Sequence, residues 1–256
     1  MVTYLSKKSY QHKTLKEIKF KDLWGDYGVF TTMWIFGRPA KILFFKKHLR
    51  NLVKSLKAYN LNKPNIEKDI LKLIKFNIVL NRSYNHLFRV AINNKMISIS
   101  LRERKIPKLK FNLKLVNYKR VNPEFKNLKY QLILKYLSKM DNTISDIGLC
   151  FNKNILESGT SNIFFIKSNN IYSPSKMIYK GITYSFFKKK LGKIINKDIP
   201  VNTLGDYDEI LLIGSGKGVT SVQTINDIKW QRKSLKFYKI LSNFYQKEIL
   251  MCPKYQ

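Results

Sequence analysis

The segment ILESGTSNIFFIKSNNIYSP, residues 155–174, contains a single acid, Glu157, in a stretch of small, polar and apolar residues. The apolar run around Ile163–Ile166 is β-branched and aromatic, which is typical of a strand, and Pro174 ends the extended stretch. The chain has 49 Lys and Arg but only 16 Asp and Glu. A carboxylate at this place is therefore either a solvated turn residue or a group with a chemical role.

Composition favours a globular protein with a sizeable core. The chain has 256 residues, of which 44% are hydrophobic, enough for one large domain or two small ones. No apolar run approaches the roughly 18–20 residues of a membrane span, so we expect no membrane association. Cys150 and Cys252 lie far apart without metal-ligand spacing, and the N-terminus lacks the apolar core of a secretory signal. These features predict a cytoplasmic protein.

The formal net charge of +33 has two interpretations. Such a charge can serve nucleic-acid binding, but here the bases are spread over the whole chain rather than concentrated on one element. Compositional drift, with some benefit to anionic ligands, is the favoured interpretation, and no specific nucleic-acid partner is expected. His12, His48 and His86 also lack ligand spacing, so no metal site is expected.

The pattern of elements predicts an α+β fold. Leu49, Leu52, Val53 and Leu56 have helical spacing. The other predicted helices follow Pro64, run from Pro123 to about residue 140, begin near Thr183 and cover about 231–250; the predicted strands cover 27–36, the hairpin 87–103, 147–151, 163–166 and 207–214. Regular βαβ alternation is missing, which favours α+β over a doubly wound sheet. The approach to a domain junction divides the chain into domains 1–112 and 113–256.

Two loops could bind an anion. LLIGSGKGVTSV, 211–222, is neither a dinucleotide fingerprint, because a strand-like run follows it, nor a Walker loop, because Gly218 follows the lysine. Its glycine-rich turn could still direct backbone N–H groups at an anion. In KGITYSFF, 180–187, a helix begins at Thr183, and its first N–H groups suit a phosphate or only a plain cap.

An ordered series connects these pieces. Glu157 lies 31 residues after Lys126, Thr183 of the Gly-Ile-Thr turn lies 26 residues after Glu157, and Ser215 lies 32 residues after that. Together with the opening GDYGVFTTMWIFGRPAKILFFKKHLRNL, 25–52, the series resembles the fold-type IV pyridoxal-phosphate enzymes, the class IV aminotransferase family. The family includes branched-chain and D-amino-acid aminotransferases and aminodeoxychorismate lyases. The resemblance implies a homodimer with a smaller N-terminal α/β domain and a larger, β-rich C-terminal domain with flanking helices.

The resemblance assigns roles to these residues. It implies pyridoxal 5'-phosphate as cofactor, held covalently by the amine of Lys126, which also moves a proton. Lysines also stand at positions 119 and 129, but the interval to Glu157 selects Lys126. Glu157 would keep the ring nitrogen protonated, which explains the lone acid. Ile182, Thr183 and Ser215 would contact the phosphate.

The sequence is compatible with three functions. The opening strand has Phe30-Thr31-Thr32, where branched-chain aminotransferases usually have Phe-Glu-Gly, and the chain is compact. Both features are closer to a lyase that converts 4-amino-4-deoxychorismate, a small anionic substrate, to 4-aminobenzoate and pyruvate for folate biosynthesis. The alternative is transamination of branched-chain or D-amino acids with 2-oxoglutarate. A basic binding protein, or a relic of the fold without activity, is the third possibility.

The sequence departs from the family at three places. The family's phosphate-binding arginine follows a His-Leu-x-Arg-Leu pattern, but here Asn51 has that place and Arg50 lies one residue earlier. One helical position is a rotation of about 100°, so we expect either another base near the phosphate or looser cofactor binding. The stretch from His48 to Lys126 is short for the family, so the first domain is trimmed. Tyr184 stands where many members have arginine.

Overall fold

The computed structural model of the protein describes residues 3–255. The chain forms two compact units. The first consists of Met1–Arg104, Phe125–Gln131 and Met251–Gln256; the second of Lys105–Glu124 and Leu132–Leu250. The sequence predicts the domain boundary near residue 112. In the structure, the first continuous segment of the first unit ends at Arg104, and two short later segments also belong to that unit.

The first unit is built on an antiparallel sheet of six strands. They are β1 (Tyr4–Gln11), β2 (Glu17–Ile18), β3 (Gly28–Gly37), β4 (Lys41–Ile42), β5 (Tyr84–Asn93) and β6 (Met96–Glu103), in the order β2-β1-β6-β5-β3-β4. Two helices follow β4, namely α1 (Phe45–Ala58) and α2 (Ile66–Asn77). The predicted hairpin is β5 and β6, and both predicted helices are present. Strand β1 was not predicted.

Helix α1 packs on one face of the sheet because its apolar residues share one stripe. Leu49, Leu52 and Leu56 are buried, and the hydrophobic core that contains them also contains Val29 and Met33 of β3. Side chains of a strand alternate between faces. Thr31, which lies between Val29 and Met33, therefore also faces the core. Its neighbours Phe30 and Thr32 lie on the opposite face of the sheet.

The segment after Pro123 corrects the sequence prediction. A helix was expected from this proline, but helix α3 covers only Gln131–Leu137. Residues 126–128 instead pair with β3: the N–H of Phe30 donates to the carbonyl of Lys126 at 2.9 Å, and the N–H of Leu128 donates to the carbonyl of Gly28 at 2.9 Å. Backbone pairing with a distant strand therefore overrides the local helical pattern, and Lys126 is fixed by β3.

The second unit contains two five-stranded sheets. One has the order β12-β11-β10-β13-β14 and the other the order β16-β15-β7-β8-β9. The strands are β7 (Asn112–Asn117), β8 (Ser145–Phe151), β9 (Asn154–Ser158), β10 (Asn162–Lys167), β11 (Asn170–Pro174), β12 (Ile195–Lys197), β13 (Glu209–Gly214), β14 (Gly218–Ser221), β15 (Thr224–Ile225) and β16 (Trp230–Gln231). Helices α4 (Ile182–Leu191) and α5 (Lys236–Leu250) accompany them, with short 3-10 turns at Val201–Asp206 and Asn226–Ile228.

A single apolar core joins the two sheets of the second unit. Leu113 of β7 and Phe111 just before that strand are buried in it together with Ile163, Phe165 and Leu212 from the other sheet. Mixed helix and sheet throughout the chain confirm the α+β prediction. Within residues 3–255, no helix has both the length and the apolar character needed to span a membrane.

Candidate functional site

Glu157 is buried in the second unit rather than solvated in a turn. It lies in β9 and is 5% exposed. Its Oε1 atom accepts a hydrogen bond from Nε of Arg120 at 2.6 Å, and Arg120 is itself only 1% exposed. Nη2 of Arg120 also donates to the carbonyl of Pro123 at 2.7 Å. The interpretation of Glu157 as a surface acid is therefore wrong. A buried carboxylate is stable only when it is paired, and Arg120 is the partner of Glu157.

The spacing Glu-x-x-x-x-Asn has a structural cause. Glu157 Oε2 accepts from the N–H of Tyr179 at 3.2 Å, and Asn162 Oδ1 accepts from the N–H of Gly181 at 3.0 Å. The side-chain amide of Asn162 also donates to the carbonyl of Tyr179 at 2.6 Å. Both side chains thus hold the segment that leads into α4. The carboxylate and the start of this helix are consequently fixed by the same short loop.

The start of α4 is suited to an anion. Gly181 precedes the helix, and no side chain caps it, so the N–H groups of Ile182 and Thr183 have no intrahelical partner. Thr183 is 1% exposed, and within residues 3–255 its Oγ1 has no hydrogen-bond partner; the same holds for the buried Oγ of Ser161. Buried hydroxyls without partners are uncommon. Together with the positive end of the helix dipole they indicate a site for a negatively charged group.

The glycine-rich turn approaches the same region. Ser215 lies half-buried in the hairpin between β13 and β14, and Gly214 pairs with Gly218 across it. A Cβ atom on Gly214 would lie 2.7 Å from Oγ of Ser161, so only glycine allows this close approach. The β10–β13 pairing, in which Asn162 is opposite Ile213, brings this turn beside the loop that holds Asn162. Glu157, Ile182, Thr183 and Ser215 are thus elements of one cluster in the second unit.

Lys126 belongs to the first unit, where it is half-buried. Its Nζ lies 4.9 Å from the centre of the Phe30 ring. His48 of α1 is buried, and its Nδ1 is 2.8 Å from Oγ1 of Thr31. Burial, together with the positive charge of Lys126, lowers the pKa of His48 to about 3. His48 is therefore neutral at physiological pH and adds no second positive charge beside the lysine.

The low pKa of His48 predicts a pH dependence of stability. The unfolded chain binds a proton at His48 below about pH 6.5, whereas the native chain binds it only near pH 3, so acid favours unfolding within that window. We expect His48→Gln to reduce the pH slope of the free energy of unfolding by up to about 1.4 kcal/mol per pH unit. Urea unfolding of both proteins from pH 7 to pH 4 measures it. Equal slopes would contradict a neutral, buried His48.

The structure shows where the residues lie that depart from the family pattern at two of the three places. Arg50 is exposed, whereas Asn51 is half-buried and its carbonyl accepts a hydrogen bond from Ser55 Oγ, so α1 presents the two residues differently. Tyr184 is 2% exposed, and its hydroxyl donates to Oδ1 of Asn196 at 2.8 Å. Tyr184 is therefore a core residue of the second unit.

Two arginines on the sheet of the first unit were not predicted. Arg89 is buried, is ion-paired with Asp22 and lies over the ring of Trp24 at 4.4 Å, yet within the described chain its Nε has no hydrogen-bond partner. Arg102 is opposite Leu87, which places it on the same face as Arg89. Burial lowers the pKa of Arg102. The one sequence feature that could have indicated these residues is an arginine within a strand of alternating polar and apolar residues.

Arg120 was also missed, and its role gives a prediction. We expect Arg120→Lys to lower the free energy of unfolding by about 1–2 kcal/mol, because an ammonium group cannot make both of the hydrogen bonds made by the guanidinium. Urea unfolding measures this. Arg232→Lys, at a half-buried arginine of the same unit, is the matched control and should cost less. An equal cost for both variants would show that the pair with Glu157 contributes no special stability.

Comparisons with known proteins identify a family and a set of similar folds. The family described as amino-transferase class IV matches residues 28–225. A branched-chain aminotransferase from the thermophilic archaeon Thermoproteus uzoniensis, solved with norvaline, has a TM-score of 0.76 and 16% identity, over 94% of this chain and 93% of that one. A branched-chain amino acid aminotransferase from Thermobaculum terrenum, solved in its PLP form, has a TM-score of 0.72 and 14% identity, over 94% and 92%.

A hypothetical aminotransferase from Mycobacterium tuberculosis, solved in a PLP-bound form, is similar over 96% of this chain and 99% of that one, with a TM-score of 0.69 and 12% identity. No curated protein sequence matches the chain significantly. The similarity to solved structures therefore concerns the fold, and the match over residues 28–225 concerns the family.

Proposed function

The chain belongs to the class IV aminotransferase family, and from that membership we propose that it is a pyridoxal 5'-phosphate enzyme acting on the amino group of a small anionic substrate. The observation that carries the proposal is the cluster of the second unit. It holds a buried carboxylate, Glu157, and a helix start without a side-chain cap, where the hydroxyls of Thr183 and Ser161 have no hydrogen-bond partner within residues 3–255.

These residues fit the cofactor's two polar ends. A ring nitrogen that must stay protonated requires a carboxylate partner, and the guanidinium of Arg120 orients the carboxyl group of Glu157. A phosphate requires several N–H and O–H donors, which Ile182, Thr183 and Ser215 can supply. Two of the similar solved proteins are described as PLP-bound or as a PLP form, which supports the same cofactor here.

Each residue would have a distinct task. When bound, pyridoxal phosphate supplies an electron sink for the bond that breaks next to the substrate nitrogen. The amine of Lys126 holds the cofactor until substrate replaces it and then moves a proton as general acid and base. Glu157 keeps the proton on the ring nitrogen, and the donors at the start of α4 anchor the phosphate. Neutral His48 adds no like charge next to the Lys126 ammonium.

Amino transfer from an amino acid to 2-oxoglutarate is the reaction that the comparisons favour. The similar solved proteins include several branched-chain aminotransferases. Amino acids and 2-oxoglutarate both carry carboxylates, and two arginines lie on the non-core face of the first unit's sheet: Arg102, and Arg89 with its ion-pair partner Asp22. The buried Nε of Arg89, which lacks a partner within the described chain, can donate to such a carboxylate.

The lyase reaction is the second candidate, on one observation. The opening strand has Phe30-Thr31-Thr32 in place of Phe-Glu-Gly. Thr31 is on the core face, bound to His48, so only Phe30 and Thr32 share a face with Arg89. The side chains of Phe30 and Thr32 add no negative charge to the face that carries Arg89, whose ion-pair partner is Asp22. 4-Amino-4-deoxychorismate, with two carboxylates, is compatible with it. The enzyme would release pyruvate and 4-aminobenzoate.

Two assays on one preparation distinguish these reactions. The purified protein is titrated with pyridoxal phosphate until its visible absorption band saturates. It is then given aminodeoxychorismate alone, with pyruvate as readout, and separately branched-chain or D-amino acids with 2-oxoglutarate, with glutamate as readout. Glutamate formation supports the aminotransferase, and pyruvate release without an acceptor supports the lyase. A protein that binds no cofactor contradicts the proposed function. Size-exclusion chromatography tests the homodimer expected from the family resemblance.

A further inference from the structure

A buried ion pair lies next to the glycine-rich turn of the second unit. Lys217 stands in that turn, its side chain is 10% exposed, and its Nζ lies 3.6 Å from Oδ2 of Asp146, whose side chain is fully buried. The same Nζ lies 4.8 Å from the centre of the Phe111 ring. A positive charge is thus kept under the surface at one of the two loops that the sequence indicated for anion binding.

The ion pair is continuous with the cluster around α4. Asp146 Oδ2 accepts a hydrogen bond from Oγ1 of Thr160 at 3.1 Å. The next residue, Ser161, has a buried hydroxyl that finds no hydrogen-bond partner in the described part of the chain, and it lies close to Gly214 at the base of the turn that carries Lys217. The ammonium of Lys217 is therefore separated from an unpaired hydroxyl of the proposed phosphate site by a single short turn of chain.

The Lys217–Asp146 contact is a loose one. Charge-assisted hydrogen bonds between an ammonium and a carboxylate are about 2.7–2.9 Å long. The distance of 3.6 Å from Lys217 Nζ to Asp146 Oδ2 is longer than that, so within residues 3–255 the two groups form an ion pair without a hydrogen bond. Asp146 is held independently, because its Oδ1 accepts from the N–H of Ile147 at 2.8 Å. Lysine has a flexible stem and three donors. Its ammonium can move to an anion while Asp146 keeps its other hydrogen bonds.

We infer that Lys217 supplies the positive charge for the cofactor phosphate, in place of the arginine that is missing at Asn51. This inference rests on the proposed function, because the phosphate is that of pyridoxal phosphate. When the cofactor binds, Lys217 donates a hydrogen bond from Nζ to the phosphate. In the cofactor-free protein, the ammonium group of Lys217 stays beside the carboxylate of Asp146. The N–H and O–H donors at the start of α4 orient the phosphate, and Lys217 supplies the positive charge that balances part of its negative charge.

The test compares two ligands that differ only by the phosphate. The dissociation constants of pyridoxal phosphate and of pyridoxal are measured by absorption titration for the native protein and for Lys217→Met, which keeps the apolar stem against Phe111. We expect Lys217→Met to weaken pyridoxal phosphate about tenfold, and pyridoxal by less than about twofold. Lys239→Met, on the exposed side of α5, removes an equal charge and should change neither constant. Equal loss for both ligands, or no loss, overturns the inference.

A second variant separates a ligand-binding lysine from a structural ion pair. Asp146→Asn keeps the oxygen that accepts from Ile147 and releases Lys217 from its counter-charge. If Lys217 binds phosphate, this variant should bind pyridoxal phosphate at least as tightly as the native protein. If the pair only stabilises the turn, Asp146→Asn should weaken both ligands as Lys217→Met does. If Lys217→Met alone folds poorly, the double variant Lys217→Met/Asp146→Asn replaces it, because this variant leaves no unpaired buried charge. It should show the same phosphate-specific loss of binding.

Inorganic phosphate distinguishes failure of this inference from failure of the proposed function. If the native protein binds neither pyridoxal phosphate nor pyridoxal, the proposed function is wrong, and the melting temperature in phosphate then tests the anion site by itself. A rise that Lys217→Met abolishes and Lys239→Met retains supports Lys217 as an anion ligand. No rise in the native protein, or an equal rise in all three proteins, contradicts it.

Discussion

Lys126→Arg is expected to lower turnover at least about 10³-fold, because it removes both the amine that holds the cofactor and the group that moves the proton. Arginine keeps the positive charge and the backbone pairing with β3, but its guanidinium stays protonated and cannot serve as a nucleophile or a base. The contact of the Lys126 ammonium with Phe30 can be kept by a guanidinium, so the fold should survive. The visible band formed on adding pyridoxal phosphate should be lost with the activity.

Lys129→Arg is the matched control for this experiment. Lys129 lies three residues further on, is exposed, and donates from Nζ to the carbonyl of Gly25 at 2.6 Å. Its replacement should change turnover by less than about twofold, as for surface substitutions away from special features. Activity and absorption that survive in Lys126→Arg but disappear in Lys129→Arg would transfer the catalytic role to Lys129.

Glu157→Gln is expected to lower turnover at least about 10²-fold while the fold is retained. Glutamine is isosteric, so its oxygen can still accept from Arg120 or from the N–H of Tyr179. Without the negative charge, however, the ring nitrogen loses the partner that keeps it protonated. Steady-state kinetics with saturating cofactor measure the effect, and the wavelength of the absorption band reports the protonation of the ring.

The control for this variant is another buried glutamate of the same unit. Glu209 accepts hydrogen bonds from the N–H groups of Phe237 and Tyr238 at the start of α5. Glu209→Gln should lower the free energy of unfolding, because it weakens that helix start, but the folded fraction should turn over normally. Near-normal turnover in Glu157→Gln would show that its ion pair with Arg120 is purely structural.

The sequence was informative where function depends on spacing along one loop. Glu157 and Asn162 lie five residues apart because both hold the segment before α4. The helix predicted at Thr183 is present, and so is the glycine-rich turn after β13. Short-range features of this kind are visible in a single sequence because the residues that interact with the loop are fixed by hairpins and turns nearby.

Long-range pairing was not predictable in the same way. The residues after Pro123 have a helical pattern, yet Lys126 pairs with β3 instead, where its carbonyl accepts from the N–H of Phe30, almost a hundred residues earlier in the chain. Arg120 was missed for a related reason. In a chain with 49 Lys and Arg, no local feature distinguishes the base that is buried against a carboxylate from the many that are solvated. Only the folded second unit identifies it.

Reductive trapping tests the central claim most directly. The protein is saturated with pyridoxal phosphate, treated with borohydride and digested, and the modified peptide is identified by mass spectrometry. We predict one cofactor per chain, attached to Lys126, with no adduct when Lys126→Arg is treated in the same way. An adduct at Lys119 or Lys129, scattered modification of many lysines, or no adduct on the native protein would contradict the account.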